Sequence, residues 1–310
     1  PGRVRRHRPQ AMTALGIDVG GTAIKWGVLD DAGREIAASS TPTPTDRPEL
    51  LDRLEGIITT VRAEQSPCAV GIGIPGFIER RSGQVLLSPN LPCLDGFRLA
   101  RELRRRCGLP VRVENDANAA AFGEWTSRPK PRPGSFVHLT LGTGIGSGIL
   151  LGGRLWRGSR GFAAELGHVT VNTTGRRCPC GNVGCAETES AEVGIVTTYR
   201  EITGDATPLT AEKLYQRALS GDSAAQAAFA RAGRYLGLLL IAIMRTLNPA
   251  EISLGGGVAT AGDLLLAPAR EELARRLSPN LRDSTRIAPA RLGNRAGMIG
   301  AAALAQSHPS

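Results

Sequence analysis

Residues 14–29, ALGIDVGGTAIKWGVL, carry the reading from which the rest follows. Ala14 to Val19 reads as a buried strand, Gly20-Gly21 as a turn, and Ala23 to Leu29 as a returning strand. Glycines without Cβ leave the N–H groups of a turn open to close approach by an anion. Thr22 adds a hydroxyl donor and Lys25 a mobile positive charge, while Asp18, at the strand end, is placed to hold a hydrated Mg²⁺.

The pattern recurs. Ser135 to Leu141 reads as a strand and runs into Gly142-Thr143-Gly144-Ile-Gly-Ser-Gly148, followed by a strand at Ile149-Leu-Leu. Glycine at every other position is expensive in a strand, so this stretch is expected to be a turn that admits a phosphate chain. A third cluster, Gly255-Gly256-Gly257, ends a buried strand at Glu251–Leu254 and leaves flat main chain for a base. The repeat predicts an α/β protein of two similar lobes facing a cleft, where ligands usually bind. Helices are expected over Leu50–Val61, Leu99–Arg106 and Ala117–Trp125, with strands at Glu35–Ala37, Ala69–Ile74 and Val111–Glu114 and a loop at Thr41–Thr45. The expected partition is a disordered basic tail at 1–13, an N-terminal lobe at 14–116 completed by a helix at 297–307, and a C-terminal lobe at 117–296.

A chain of 310 residues with 41% hydrophobic and 21% charged residues is globular rather than disordered. Its longest apolar run, Tyr235 to Met244, is half of what a bilayer requires, so no membrane span is expected. The net charge of +10 suggests nucleic acid, yet Arg3, Arg5, Arg6 and Arg8 in the opening segment hold four of these charges. With only Lys25, Lys130 and Lys213 as lysines, the remainder reads as an arginine-biased composition; no nucleic-acid partner is expected. The opening arginines are not followed by the apolar stretch of a secretory signal. Gly71-Ile-Gly-Ile-Pro75-Gly76 spells a dinucleotide fingerprint, but Pro75 and the extended residues after it deny the helix that such a site needs.

Two constellations carry chemistry. Glu114-Asn115-Asp116-Ala-Asn118 puts polar side chains where a strand gives way to a helix, and Asp116 is the candidate base for a substrate hydroxyl. Glu165-Leu-Gly-His168 precedes Cys178-Pro-Cys180-Gly-Asn-Val-Gly-Cys185: one histidine and three thiols, a closed tetrahedral zinc inventory. Such a metal would be structural and would hold Glu165 and Glu187 on one wall of the site. Three cysteines gathered for a metal, in a chain with six, point to a reducing cytoplasmic setting.

These residues together resemble the ROK family of bacterial sugar kinases and repressors, within the actin-like ATPase superfamily. The matching pieces are DVGGTAIK at 18–25, GIPG at 73–76, NLP at 90–92, ENDANAAAFGE at 114–124, LGTGIGSG at 141–148, ELGH at 165–168, CPCGNVGCAE at 178–187 and LGGGV at 254–258. The resemblance implies a two-lobed, ribonuclease H-like fold with an inter-lobe cleft, and a glucokinase-like activity on ATP and a hexose. It implies that Asp116 deprotonates the sugar 6-hydroxyl, with Asn90, Asn115 and the Gly76 backbone beside it. Glu165, His168 and Glu187 would grip hydroxyls toward the anomeric end, and His168, Cys178, Cys180 and Cys185 would bind zinc. Asp18, Gly20, Gly21, Thr22, Lys25, Gly142, Thr143 and Gly144 would surround the ATP phosphates and Mg²⁺, with Gly256 and Gly257 near adenosine. It further implies a homodimer or homotetramer.

Two departures stand out. The family's glucokinases usually carry an aromatic and an Ala-Ser pair where this chain has Thr188-Glu189-Ser190-Ala191, and Cys93 replaces a commoner glycine. An extra carboxylate at Glu189 suggests an aminosugar such as 3-amino-3-deoxyglucose, with N-acetylmannosamine and N-acetylglucosamine as further alternatives. A sugar-responsive regulator needs a DNA-binding module of about 70 residues ahead of the first turn, where 17 precede Asp18. A polyphosphate-dependent kinase is the remaining alternative.

Overall fold

The computed structural model describes residues 13–79 and 81–307, so the arginine-rich tail falls almost wholly outside the described residues. The chain forms two compact units, one from the residues up to Thr126 together with those from Arg295, the other from Ser127–Asn294.

The first unit is built on a sheet of β1 (Ala14–Val19), β2 (Ala23–Leu29), β3 (Glu35–Pro42), β4 (Ala69–Ile74) and β7 (Val111–Asn115), ordered β3-β2-β1-β4-β7. A small hairpin, β5 (Phe77–Glu79) and β6 (Gln84–Leu87), follows β4. β3 runs to Pro42, so the loop expected from Thr41 starts later. Helix α1 (Arg47–Gln65) opens with the Asp46 carboxylate accepting the Glu49 N–H, a cap that contributes about 1 kcal/mol, and buries Leu50, Leu51, Leu54, Ile57, Ile58 and Val61. These residues pack with α2 (Leu99–Cys107) on one face of the sheet.

The other face is covered by α10 (Ala296–Ser307), whose main chain comes close to the strands at two glycines while the Met298 and Ala302 side chains pack beside them. A Cβ on Gly16 of β1 would land on the Met298 carbonyl, and one on Gly71 of β4 on the Ala301 carbonyl. α3 (Asp116–Thr126) lies against the same helix, where Gly123 faces Ala296 and Gly300 faces Ala119. That contact corrects the expected boundary: the division falls after Thr126, not after Asp116, because α3 belongs with α10. β1, β4 and β7 are parallel, with Asp18 opposite Gly73 and Gly73 opposite Glu114. Their carboxyl ends therefore bring Asp18, the Ile74–Gly76 turn and Asn115-Asp116 to one edge, the end where open α/β sheets bind ligands.

The second unit repeats the plan. β8 (Ser135–Leu141), β9 (Ile145–Leu151), β10 (Arg154–Leu155), β11 (Glu251–Gly255) and β12 (Arg286–Pro289) are ordered β10-β9-β8-β11-β12. In both sheets three antiparallel strands are followed by two parallel additions. β9 begins at Ile145, so Gly146 and Gly148 are strand and not turn. The alternating glycines satisfy period two: they sit on one side of β9, opposite Thr140 and His138. β12 had no signal in the periodicity.

Helices α4 (Ala186–Ser190), α5 (Glu192–Thr203), α6 (Ala211–Leu219), α7 (Ser223–Leu247), α8 (Asp263–Arg276) and α9 (Pro279–Asp283) complete this unit. α7 is long and apolar enough to cross a membrane by length and composition. Its apolar positions, from Ala225 and Phe229 to Ile243 and Met244, are instead spent on the core with α5 and α8.

Candidate functional site

The phosphate-type turn of the first unit is held by its neighbours. The Gly20 N–H donates to the Ala23 carbonyl at 3.0 Å and the Thr43 hydroxyl to the Gly20 carbonyl at 2.7 Å, leaving Gly21 and Thr22 exposed. Asn90 lies beside Gly21. Asp18 and Lys25 are cross-strand partners. Burial, and then the nearby Asp116 charge, push the Asp18 carboxyl up to about 6 against the pull of Lys25. Two half-buried carboxylates opposed by one lysine are a donor set that suits a hard divalent cation.

Asp116 is the first residue of α3, but it does not cap the helix. Asn115 does: its Oδ1 accepts the Asn118 N–H at 2.9 Å, while its Nδ2 donates to the Gly76 carbonyl at 3.0 Å and to Asp116 Oδ1 at 3.2 Å. Asn115 was expected to face sugar hydroxyls; its two N–H groups are instead committed to protein, and one lone pair on Oδ1 remains. Asp116 Oδ1 also accepts the Ala117 N–H at 2.9 Å. Burial holds the Asp116 carboxyl above the ordinary carboxylate range, partly offset by these backbone donors. With Oδ1 oriented by backbone and amide, Oδ2 is the oxygen left to take a proton.

Gly297 was missed by the sequence reading. A side chain there would strike the Asp18 carboxylate, so only glycine lets the first turn of α10 lie behind it. The run of small residues from Ala296 is the signal that could have found it.

In the second unit Glu187 is tied to the glycine turn. Its Oε2 accepts the Ile145 N–H at 2.9 Å, closing the glycine turn whose Gly142 N–H donates to the Gly144 carbonyl at 2.9 Å. A Cβ at Gly144 would overlap that carboxylate oxygen, which explains the glycine. Glu165 is set by Ser147: the hydroxyl donates to the Ala164 carbonyl and accepts the Leu166 N–H at 3.0 Å. Ala164 itself is held at φ 73°, a strained left-handed conformation for a residue with a side chain. Neither Ser147 nor Ala164 had a sequence signal beyond its neighbourhood.

The ligand atoms of His168, Cys178, Cys180 and Cys185 all lie within 4.8 Å of one another. Cys178 Sγ is 3.6 Å from His168 Nδ1 and Cys180 Sγ is 3.7 Å from Cys185 Sγ. Tetrahedral zinc with thiolates at about 2.3 Å needs ligand separations of about 3.8 Å, so the four residues fit the ion. Nδ1 faces the thiols and Nε2 lies 3.9 Å from Glu165 Oε2, which lets His168 serve both the cluster and the Glu165 side.

Glu189 does not face a substrate. It is fully buried, and its carboxylate accepts from the Asn172 amide and the Arg176 N–H at 3.2 Å each and lies 3.5 Å from both the Arg176 and the Arg231 guanidinium. The expectation that it selects a charged aminosugar is therefore corrected. It ties the 172–176 loop to α4, the helix that carries Glu187.

A cavity of about 530 Å³ opens beside the glycine turn, lined at one end by Gly142 and Thr143 and farther along by Gly257, Thr260 and Ala261. Its apolar wall is Tyr215 set edge-on to Phe229, ring centroids 6.3 Å apart. Gly257 faces the cavity, whereas Gly256, at φ 86°, turns the chain against Leu141. The α6 wall was not anticipated, since it lies more than 60 residues after Gly142 and more than 35 before Gly257.

Comparison with known proteins agrees with this geometry. The model of the ROK family matches residues 14–308. A glucokinase of Streptomyces coelicolor is 35% identical over 309 residues, covering 94% of this chain and 97% of that protein. The crystal structure of a ROK hexokinase from Thermus thermophilus superposes with a TM-score of 0.84 at 33% identity, covering 96% of this chain and 98% of the other. A ROK glucokinase from Streptomyces griseus, solved with glucose and AMPPNP, gives 0.81 at 32% identity, covering 96% and 100%.

Proposed function

The chain belongs to the ROK family, and from that membership we propose that it is an ATP-dependent glucose kinase that phosphorylates the sugar 6-hydroxyl. The observation that carries the chemistry is the Asp116 carboxylate, with one oxygen oriented by Ala117 and Asn115 and its proton affinity raised by burial.

Asp116 takes the proton of the 6-hydroxyl as its oxygen bonds to the γ-phosphorus; the bond to the bridging oxygen breaks and ADP departs. Glu165, His168 and Glu187 hold the sugar hydroxyls, Asn90 and the Gly76 backbone border the sugar, and Asn115 orients Asp116. The Gly20–Thr22 and Gly142–Gly144 turns, with Lys25, receive phosphates through the N–H groups that follow Gly20 and Gly142, whose own N–H groups close the turns, and through positive charge. Asp18 would hold Mg²⁺, which when bound neutralises charge on the phosphate oxygens. His168, Cys178, Cys180 and Cys185 would hold a structural zinc that fixes the loop between Glu165 and Glu187.

The nucleoside-sized cavity supports ATP over polyphosphate. The burial of Glu189 removes the feature that favoured an aminosugar. Six free cysteines, three of them gathered for a metal, support a cytoplasmic location. Assembly as a homodimer or homotetramer, with no nucleic-acid or membrane partner, completes the reading. ADP release measured over a panel of hexoses and aminohexoses tests it. Glucose should give the highest kcat/KM, with glucose 6-phosphate as product, and a faster aminosugar or an unphosphorylated 6-position would overturn it.

A further inference from the structure

Most polar side chains around the second unit's cavity are already spent on the protein. The Thr210 hydroxyl caps α6 by accepting the Lys213 N–H, Glu192 Oε2 accepts the Ala211 N–H at 2.8 Å, and the Thr260 hydroxyl donates to the Gly257 carbonyl at 2.6 Å. Glu212 and Gln216 differ. They stand four residues apart on α6, so they share one face. Both line the cavity, both are exposed, and neither side chain has a hydrogen bond or ion pair among the described residues. Tyr215, beside them, turns its ring toward Phe229 on the same wall. The far end of the cavity, at Gly142 and Thr143, is where phosphates would enter.

We propose that this face of α6 reads the nucleobase, Glu212 accepting a hydrogen bond from the exocyclic amine of adenine and Gln216 pairing with an adjacent ring nitrogen. The inference rests on the assignment of the cavity to ATP. A carboxylate offers acceptors alone, so an amino group satisfies it while the O6 carbonyl of guanine or hypoxanthine leaves two acceptors facing each other. With GTP or ITP the carboxylate loses that hydrogen bond and faces a second lone-pair oxygen, which disfavours both relative to ATP. The amide of Gln216 supplies the donor that the neighbouring ring acceptor of adenine needs; in guanine that position carries its own hydrogen.

The test is glucose phosphorylation with ATP, GTP and ITP in the wild type, Glu212→Gln and Gln216→Glu, together with calorimetric binding of ADP and GDP. The wild type should prefer ATP to GTP by at least about tenfold in kcat/KM. Glu212→Gln, which can donate to O6, should lower that ratio about tenfold, and the ADP-to-GDP affinity ratio should fall with it. Equal use of ATP and GTP by the wild type, or an unchanged ratio in both variants, overturns the inference while leaving the kinase reading intact. Absence of turnover with every nucleotide, with ADP failing to bind, overturns the cavity assignment itself.

Discussion

Glu187 Oε2 accepts the Ile145 N–H at 2.9 Å, so a side chain assigned to the sugar also closes the turn assigned to phosphates. Losing it should damage both substrates. Glu187→Ala should raise KM for glucose and for ATP by about tenfold or more each, as expected for loss of a charge-assisted bond. Gly144→Ala, whose Cβ would displace the same carboxylate, should reproduce both effects in steady-state kinetics. A change in ATP KM alone would break the link.

Asp116→Asn keeps the shape and the acceptor for Ala117 but removes the base. Turnover should fall by about 10³-fold, while glucose affinity measured by calorimetry stays within about threefold. Near-native kcat in this variant would remove Asp116 from the mechanism.

Folded Asp18 keeps its proton up to about pH 6, against 3.8 for an unperturbed aspartate. The native state therefore binds the extra proton between those values, and stability declines as pH rises through the window. Asp18→Asn should stabilise the metal-free protein at pH 7 by about 2–3 kcal/mol while abolishing activity. The gain should vanish below about pH 4, as read from urea unfolding with chelator present.

Metal analysis should find one zinc per chain. Stripping it, or Cys178→Ser, should lower Tm and raise the glucose KM, because the loop from His168 to Cys185 loses its anchor. An unchanged Tm and KM after chelation would leave the four ligands without a metal.

Glu189→Gln should destabilise the protein by about 1–3 kcal/mol, since it removes the buried charge facing two guanidinium groups that then keep Glu201 as their acidic partner. The ratio of kcat/KM for glucose and 3-amino-3-deoxyglucose should not move. Differential scanning and paired kinetics separate the two outcomes.

Where one local rule decided a segment, the sequence was legible. The turn at Gly20-Gly21, the strand that gives way to a helix at Asn115-Asp116 and the Cys178–Cys185 knuckle each follow from turn chemistry, periodicity or ligand spacing. What escaped depends on partners distant in the chain. Whether Glu189 faces a ligand or the core is settled by Arg176 and Arg231, and whether Asn115 is free is settled by the Gly76 carbonyl. Gly146 and Gly148 misled because period two in a glycine run looks like a turn until β8 supplies the opposing residues. The division after Thr126 depends on α10, which no window around α3 contains.

α10 reaches the first sheet through carbonyls laid on Gly16 and Gly71. During synthesis that layer cannot be laid down until α10 has been made, more than 270 residues after β1. The second unit, contiguous from Ser127 to Asn294, is by then fully made. The strand bearing Asp18 thus waits through the making of the whole second unit for the helix that covers one of its faces, so a chain stopped before Ala296 would display an uncovered sheet face to the quality-control machinery.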